Sequence, residues 1–170
     1  VEVLARQALE TFGLPEAALT VEGEAHCACV VDQAALQTVF NNLVDNTVKY
    51  SSGEPRIQVR LTSTGRRFLL EFRDFGIGIE AVDQKKIFNK FYRASGRNAP
   101  SVKGVGLGLY RVREILRAHG GRVTVASGGT GRGTTFRLVL PVYGKSKKHF
   151  TKKLLRITGR KHMEDGYERE

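Results

Sequence analysis

No stretch of the chain approaches the ~18 consecutive apolar residues of a membrane-spanning helix, and no charged-then-apolar leader opens it. The expectation is a soluble piece. Cysteine is scarce. Cys27 and Cys29 stand two apart in the alternating stretch AHCACVV, on one face of an expected strand, where bridging is disfavoured. No second Cys or His cluster completes a metal-ligand set, so they read as buried reduced thiols in a reducing, cytoplasmic compartment. Also missing are the GK[ST] of a P-loop, and the HRD and VAIK segments that a eukaryotic-type protein kinase needs.

What is present suffices for one domain. A chain of 170 residues with 41% hydrophobic composition can bury a proper core but is short for two. It starts at Val1 inside a helical pattern, so a fragment of a longer polypeptide is expected. The net charge of +11 invites a nucleic-acid reading, yet residues 143–170 hold nine Lys/Arg against four Asp/Glu. A large part of the excess therefore lies in a tail, expected to be flexible and solvated, and the compact domain is expected to be 1–142.

Val1 to Phe12 has helical spacing, and two short strands are expected around Leu19 to Val21 and His26 to Val31. Asp32 stands as an N-cap before a helix from Ala34 to Tyr50, with Leu36, Val39, Phe40, Leu43 and Thr47 on its apolar stripe. RIQVRLT (56–62) and RFLLEFR (67–73) alternate around a Ser-Thr-Gly turn, as a hairpin buried on one face. RVTVA (122–126) and TTFRLVL (134–140) repeat the alternation. The long stretch between Gly76 and Gly106 holds one short helix near Ala81 to Phe88. Together these predict an α/β two-layer sandwich, a mixed sheet covered on one face by about three helices.

Three groups of residues carry chemistry. At about 100° per residue, Asn42, Asn46 and Lys49 fall within roughly 60° of one another, beside the apolar stripe of the second helix. Their amide oxygens suit magnesium, which takes few protein ligands, and the cation suits phosphate; a polar helix edge alone is nonspecific. KGVGLGLY (103–110) places three glycines directly before a helix, where backbone N–H groups and the helix start favour an oxyanion. DFGIGI (74–79) puts a carboxylate at the end of a strand. At a pocket floor Asp74 would accept from adenine's exocyclic amine, where guanine presents an acceptor instead.

In order, NLVDNTVKY (42–50), DFGIGI (74–79), IFNKFYR (87–93) and GVGLGL (104–109) resemble the N, G1, F and G2 boxes of the catalytic ATP-binding domain of sensor histidine kinases. HGGRV and GTTFRLVLP resemble that family's last helix and hairpin. The family belongs to the GHKL superfamily, with type II topoisomerases, the heat-shock chaperones of the Hsp90 kind and MutL, and shares its Bergerat ATP-binding fold. The resemblance implies ATP and Mg2+ as cofactors. It implies Asn46 as the magnesium ligand, Asn42 at the metal–phosphate group, Lys49 on phosphate and Tyr50 on the adenine. Asp74 would bind the adenine amine, with Gly76, Gly78 and Ile79 at the floor and Thr135 supporting it. Phe88 and Phe91 would anchor a lid running from Arg93, which reaches the γ-phosphate, to Lys103. Gly104, Val105, Gly106, Leu107, Gly108 and Leu109 would hinge that lid and hold phosphate. Phe75 departs from the small or polar residue usual in the family, and packing against the base or the lid is expected for it.

An amide at Asn42, where ATP-hydrolysing members of the superfamily carry glutamate, cannot take a proton from water and favours phosphotransfer over hydrolysis. The implied acceptor is a histidine on a separate phosphoacceptor domain of the same full-length protein, a homodimer, serving a response-regulator receiver domain. None of His26, His119, His149 and His162 sits in an acceptor context, and His119 reads as a helix-terminal residue. Alternatives are an ATP-binding regulatory or interaction module without transfer, and a GHKL-type ATPase. No nucleic-acid partner is expected.

Overall fold

The computed structural model describes residues 1–25, 27–94 and 104–142. In chain order the elements are α1 (Glu2–Thr11), β1 (Leu19–Glu22), α2 (Gln33–Tyr50), β2 (Ile57–Thr64), β3 (Arg67–Asp74), α3 (Ala81–Gln84), α4 (Gly108–Ala118), β4 (Arg122–Ala126) and β5 (Thr134–Pro141). The five strands form one sheet in the order β1-β2-β3-β5-β4. β1 runs parallel to β2 and the other neighbours are antiparallel, so the sheet is mixed as expected.

Period-two alternation decides which face of the sheet is covered. Val59, Leu70, Phe72, Phe136 and Leu138 are buried against the helices, with Val39, Phe40, Leu43 and Val44 of α2 and Val112 and Leu116 of α4 opposite them. The other face is polar. One row across it runs Glu22, Arg60, Glu71, Arg137 in register over four strands. Arg60 reaches Glu22 at 3.0 Å and Arg137 reaches Glu71 at 2.7 Å. Opposite charges placed on adjacent strands at one register position explain both pairs.

α2 begins where its sequence signals it. The Asp32 side chain accepts from the Ala35 N–H at 3.0 Å, satisfying one orphan donor of the first turn. The same residue is tied to α4: the His119 imidazole, buried at that helix's C-cap, takes the Asp32 N–H on Nε2 at 3.0 Å. Nδ1 lies 2.7 Å from the Ile115 carbonyl. Since Nε2 accepts, Nδ1 carries the proton and donates to that carbonyl.

One expected strand does not form. Residues 27–31 lie outside the sheet, although Cys27, Cys29 and Val31 are half-buried and pack on the core. The alternation there records one-sided burial of an extended segment without a neighbouring strand to pair with. The two thiols do share a side and are free. Burial, helped by neighbouring Cys27, pushes the Cys29 thiol up to about 11. His26, the stretch 95–103 including Lys103, and the basic tail with His149 and His162 lie outside the described residues. Among the described residues no helix is long and apolar enough to cross a membrane.

Candidate functional site

One cavity of about 540 Å³ opens between α2, the β3–α3 segment and the start of α4. α2 contributes Asn42, Asn46, Lys49 and Tyr50 along a single edge, as the helical spacing requires. Two of these are already engaged. Asn42 donates through Nδ2 to the Thr38 carbonyl at 2.7 Å. Lys49 forms an ion pair with Asp45, four residues back and also on the cavity wall. Asn46 differs: its Nδ2 is buried without a partner among the described residues. A buried amide left unsatisfied at a cavity wall is where a ligand or its water shell would complete the bonding.

The floor is built from the end of β3. Asp74 is 7% exposed, and its Oδ1 accepts the Gly76 N–H at 3.0 Å and the Thr134 N–H at 3.2 Å. The Thr134 hydroxyl also bonds the carboxyl. Burial holds this carboxyl above the usual carboxylate range, while the N–H groups of Gly76 and Thr134 pull the other way. Gly78 and Ile79 line the cavity; Gly76 does not, and acts through its N–H instead. Ile77 closes the floor onto α2 by donating its N–H to the Tyr50 carbonyl at 2.9 Å.

At the far end Gly104, Val105, Gly106, Leu107, Gly108 and Leu109 all line the wall. α4 starts at Gly108 with no side-chain cap. Its first backbone N–H groups are therefore left for a ligand or water, with the positive end of the helix dipole behind them. Gly106 has φ +73, and a Cβ there would lie 2.8 Å from both the Phe91 carbonyl carbon and the Tyr92 oxygen. The same junction is fixed by the Phe91 N–H donating to the Gly106 carbonyl at 3.0 Å.

Several expected positions fall elsewhere. Thr135 does not line the cavity; Thr134 does, because adjacent residues of β5 face opposite sides of the sheet. Phe88 is buried in the core, whereas Phe91 is 59% exposed, in a left-handed conformation and off the wall. Tyr92 and Arg93 take the wall position beside it, and the Tyr92 hydroxyl donates to Asp83 at 2.6 Å. Phe75 does not line the cavity: it is 46% exposed, with the guanidinium carbons of Arg73 and Arg56 at 4.9 and 5.3 Å from its ring centre. Sequence reading also missed Asp45, Glu80, Asp83 and Phe136 on the wall. Only Asp45 carried a signal, its i,i+4 spacing from Lys49.

The cavity thus has a buried acid at one end and an uncapped glycine-rich helix start at the other. The family described as "Histidine kinase-, DNA gyrase B-, and HSP90-like ATPase" matches residues 31–144. The chain belongs to that family. Among relatives, the sensor protein CiaH of Streptococcus pneumoniae is 36% identical over 127 residues, 75% of this chain and 28% of CiaH. The sensor protein kinase WalK of Staphylococcus haemolyticus is 36% identical over 113 residues, 65% of this chain and 18% of WalK. This chain thus spans under a third of those relatives' length. Among solved structures, the mycobacterial sensor histidine kinase MprB superposes with a TM-score of 0.71 at 27% identity, covering 83% of this chain and 95% of that one. Full-length ShkA, solved in complex with AMPPNP, gives 0.67 at 26% identity, covering 83% of this chain and 30% of ShkA.

Proposed function

We propose that the domain binds MgATP and presents its γ-phosphate to a histidine on a separate phosphoacceptor domain of the full-length protein, a sensor histidine kinase acting with a response-regulator receiver domain. The observation that carries this reading is that the Asp74 carboxyl and the uncapped start of α4 line one cavity from its two ends. A carboxylate accepts from the adenine amine and rejects the guanine carbonyl, while the α4 N–H groups and glycine backbone accommodate phosphate.

Magnesium fits the donors present. Among the described residues no cluster of three or more His, Cys, Asp or Glu forms a metal cage. A single amide oxygen such as the Oδ1 of Asn46 would suit a cation that keeps its waters and phosphate oxygens, and the buried Nδ2, a donor, would be satisfied by a phosphate oxygen or a metal-bound water. When bound, the ion neutralises charge on the phosphate oxygens. Lys49 then shares its charge between Asp45 and phosphate, and Arg93, also on the wall, meets the terminal phosphate.

Asn42 separates transfer from hydrolysis. Its Nδ2 is held by Thr38, and a Cβ on Gly108 would lie 2.9 Å from its Oδ1. The amide is thus clamped between α2 and α4, and it has no basic site with which to deprotonate water. Transfer needs another acceptor, and His119, with both ring nitrogens engaged inside the fold, is not it. Val105, apolar and exposed on the cavity wall, suits contact with a protein substrate.

Calorimetric titration with ATP and magnesium tests the binding step, and radiolabelled ATP tests transfer. The isolated chain is expected to bind ATP and to gain no acid-labile label. No heat of binding, or label accumulating on the isolated chain, overturns the proposal.

A further inference from the structure

The loop between β4 and β5, residues 127–133, is zipped onto the segment that forms the cavity floor. Ser127 is the centre of the zip. Its hydroxyl accepts the Ile79 N–H at 2.9 Å and donates to the Gly133 carbonyl at 2.7 Å, and the Gly129 N–H lies 3.3 Å away. Gln84 adds a second tie, with Nε2 donating to the Ile79 carbonyl at 3.1 Å and to the Ser127 carbonyl at 2.9 Å. Backbone bonds complete the seam: the Gly131 N–H to the Ile77 carbonyl at 2.7 Å and the Gly133 N–H to the Gly76 carbonyl at 3.2 Å. Gly78 packs so closely that a Cβ would lie 2.1 Å from the Gly129 carbonyl oxygen and 3.0 Å from the Ser127 hydroxyl.

Of the two groups that Ser127 grips, one belongs to the floor and the other adjoins a residue that holds the acid. Ile79 follows Gly78, and Gly133 precedes Thr134, whose N–H and hydroxyl hold the Asp74 carboxyl. A single hydroxyl therefore links the position of the floor to the orientation of the acid. Neither Ser127 nor Gln84 lines the cavity.

We infer that Ser127, with Gln84, is a positioning pair for base recognition: it fixes the Asp74 carboxyl against the floor and so sets discrimination of adenine from guanine nucleotides. This rests on the adenine reading of Asp74 given above. Removing the hydroxyl leaves the Ile79 N–H and the Gly133 carbonyl to find other partners, which releases the loop without touching the phosphate end.

The test measures binding of ATP and of GTP, each with magnesium, by calorimetry on the whole 170-residue chain. Ser127→Ala is expected to lower the ATP-over-GTP affinity ratio by about tenfold, and Ser127→Thr to restore it. Gln84→Ala, which cuts the other tie, is expected to lower the ratio too, and keeps the inference testable should Ser127→Ala fail to fold. Val123→Ala on β4 serves as a control that softens the core, and its ratio is expected to match the unmodified chain. A ratio unchanged in both Ser127→Ala and Gln84→Ala, or lowered equally in Val123→Ala, or not restored by threonine, overturns the inference. An unmodified chain that binds ATP and GTP alike defeats the adenine reading itself, a different result.

Discussion

Replacing Asp74 by asparagine separates the acid's role in binding from its role in folding. The side chain keeps its size and one carbonyl oxygen, so the bonds from the Gly76 and Thr134 N–H groups at 3.0 and 3.2 Å have an acceptor to keep. What changes is the remaining atom, which turns from an acceptor into an NH2 donor and, on the proposed reading of the site, would face the adenine amine. A hydrogen bond to a charged group contributes about 1.5–3 kcal/mol, and opposing donors add to the loss, for a total of about 2–4 kcal/mol. That is about 30- to 1,000-fold weaker ATP binding. The nucleotide-free fold is expected to respond in the opposite sense. Burial raises the Asp74 carboxyl in the folded state, so ionising it near neutral pH costs stability, and asparagine has no such cost. Titration calorimetry and thermal melting at pH 7 check both halves. ATP affinity within threefold of the unmodified chain, or a melting temperature that drops by several degrees, would refute the reasoning.

The pH dependence follows from the same group. With the folded carboxyl raised by burial, its stabilising contribution is present at acid pH and is lost as pH rises through the folded value, while ATP affinity falls as pH drops through it. Titrations from pH 7 to 4 are expected to show the loss of affinity starting above the ordinary Asp value of about 3.9, and to show no such loss in Asp74→Asn. Phe75→Asn is expected to change ATP affinity by less than about threefold in calorimetry, because its ring stands between Arg56 and Arg73 outside the cavity. Gly106→Ala is expected to cost about 1–3 kcal/mol of stability in denaturant melts and to weaken ATP binding, since φ +73 and the carbonyl groups of Phe91 and Tyr92 leave no room for a methyl group.

Much of the site was legible because its signals are local. Asp32, the apolar stripe of α2 and the amides beside it obey one helical period, and the helix starts and ends within a residue of where that pattern places it. Asp74 could be placed at a strand end from the alternation of RFLLEFR. What eluded the sequence depended on direction at the ends of elements. Thr134 and Thr135 are identical side chains, and which one faces the helices depends on the register with β3, where Asp74 lies opposite Thr134. Phe75 is apolar, but it follows the last residue of β3, where alternation no longer governs the side chain's side. Cys27 to Val31 alternates with no ladder, since burial alone produces the same period. Ser127 carries no pattern: its importance comes from partners 48 residues earlier and six residues later.

The imidazole bridge between Asp32 and Ile115 joins α2 to α4 at the end of α4 remote from the cavity. Eleven residues of α4 extend from that pin to Gly108, about 16 Å at 1.5 Å per residue. A pivot so placed makes α4 a lever: swinging it by about 4° carries the glycine end through about 1 Å while the anchored end barely stirs. His119 thereby gives this layer a fulcrum.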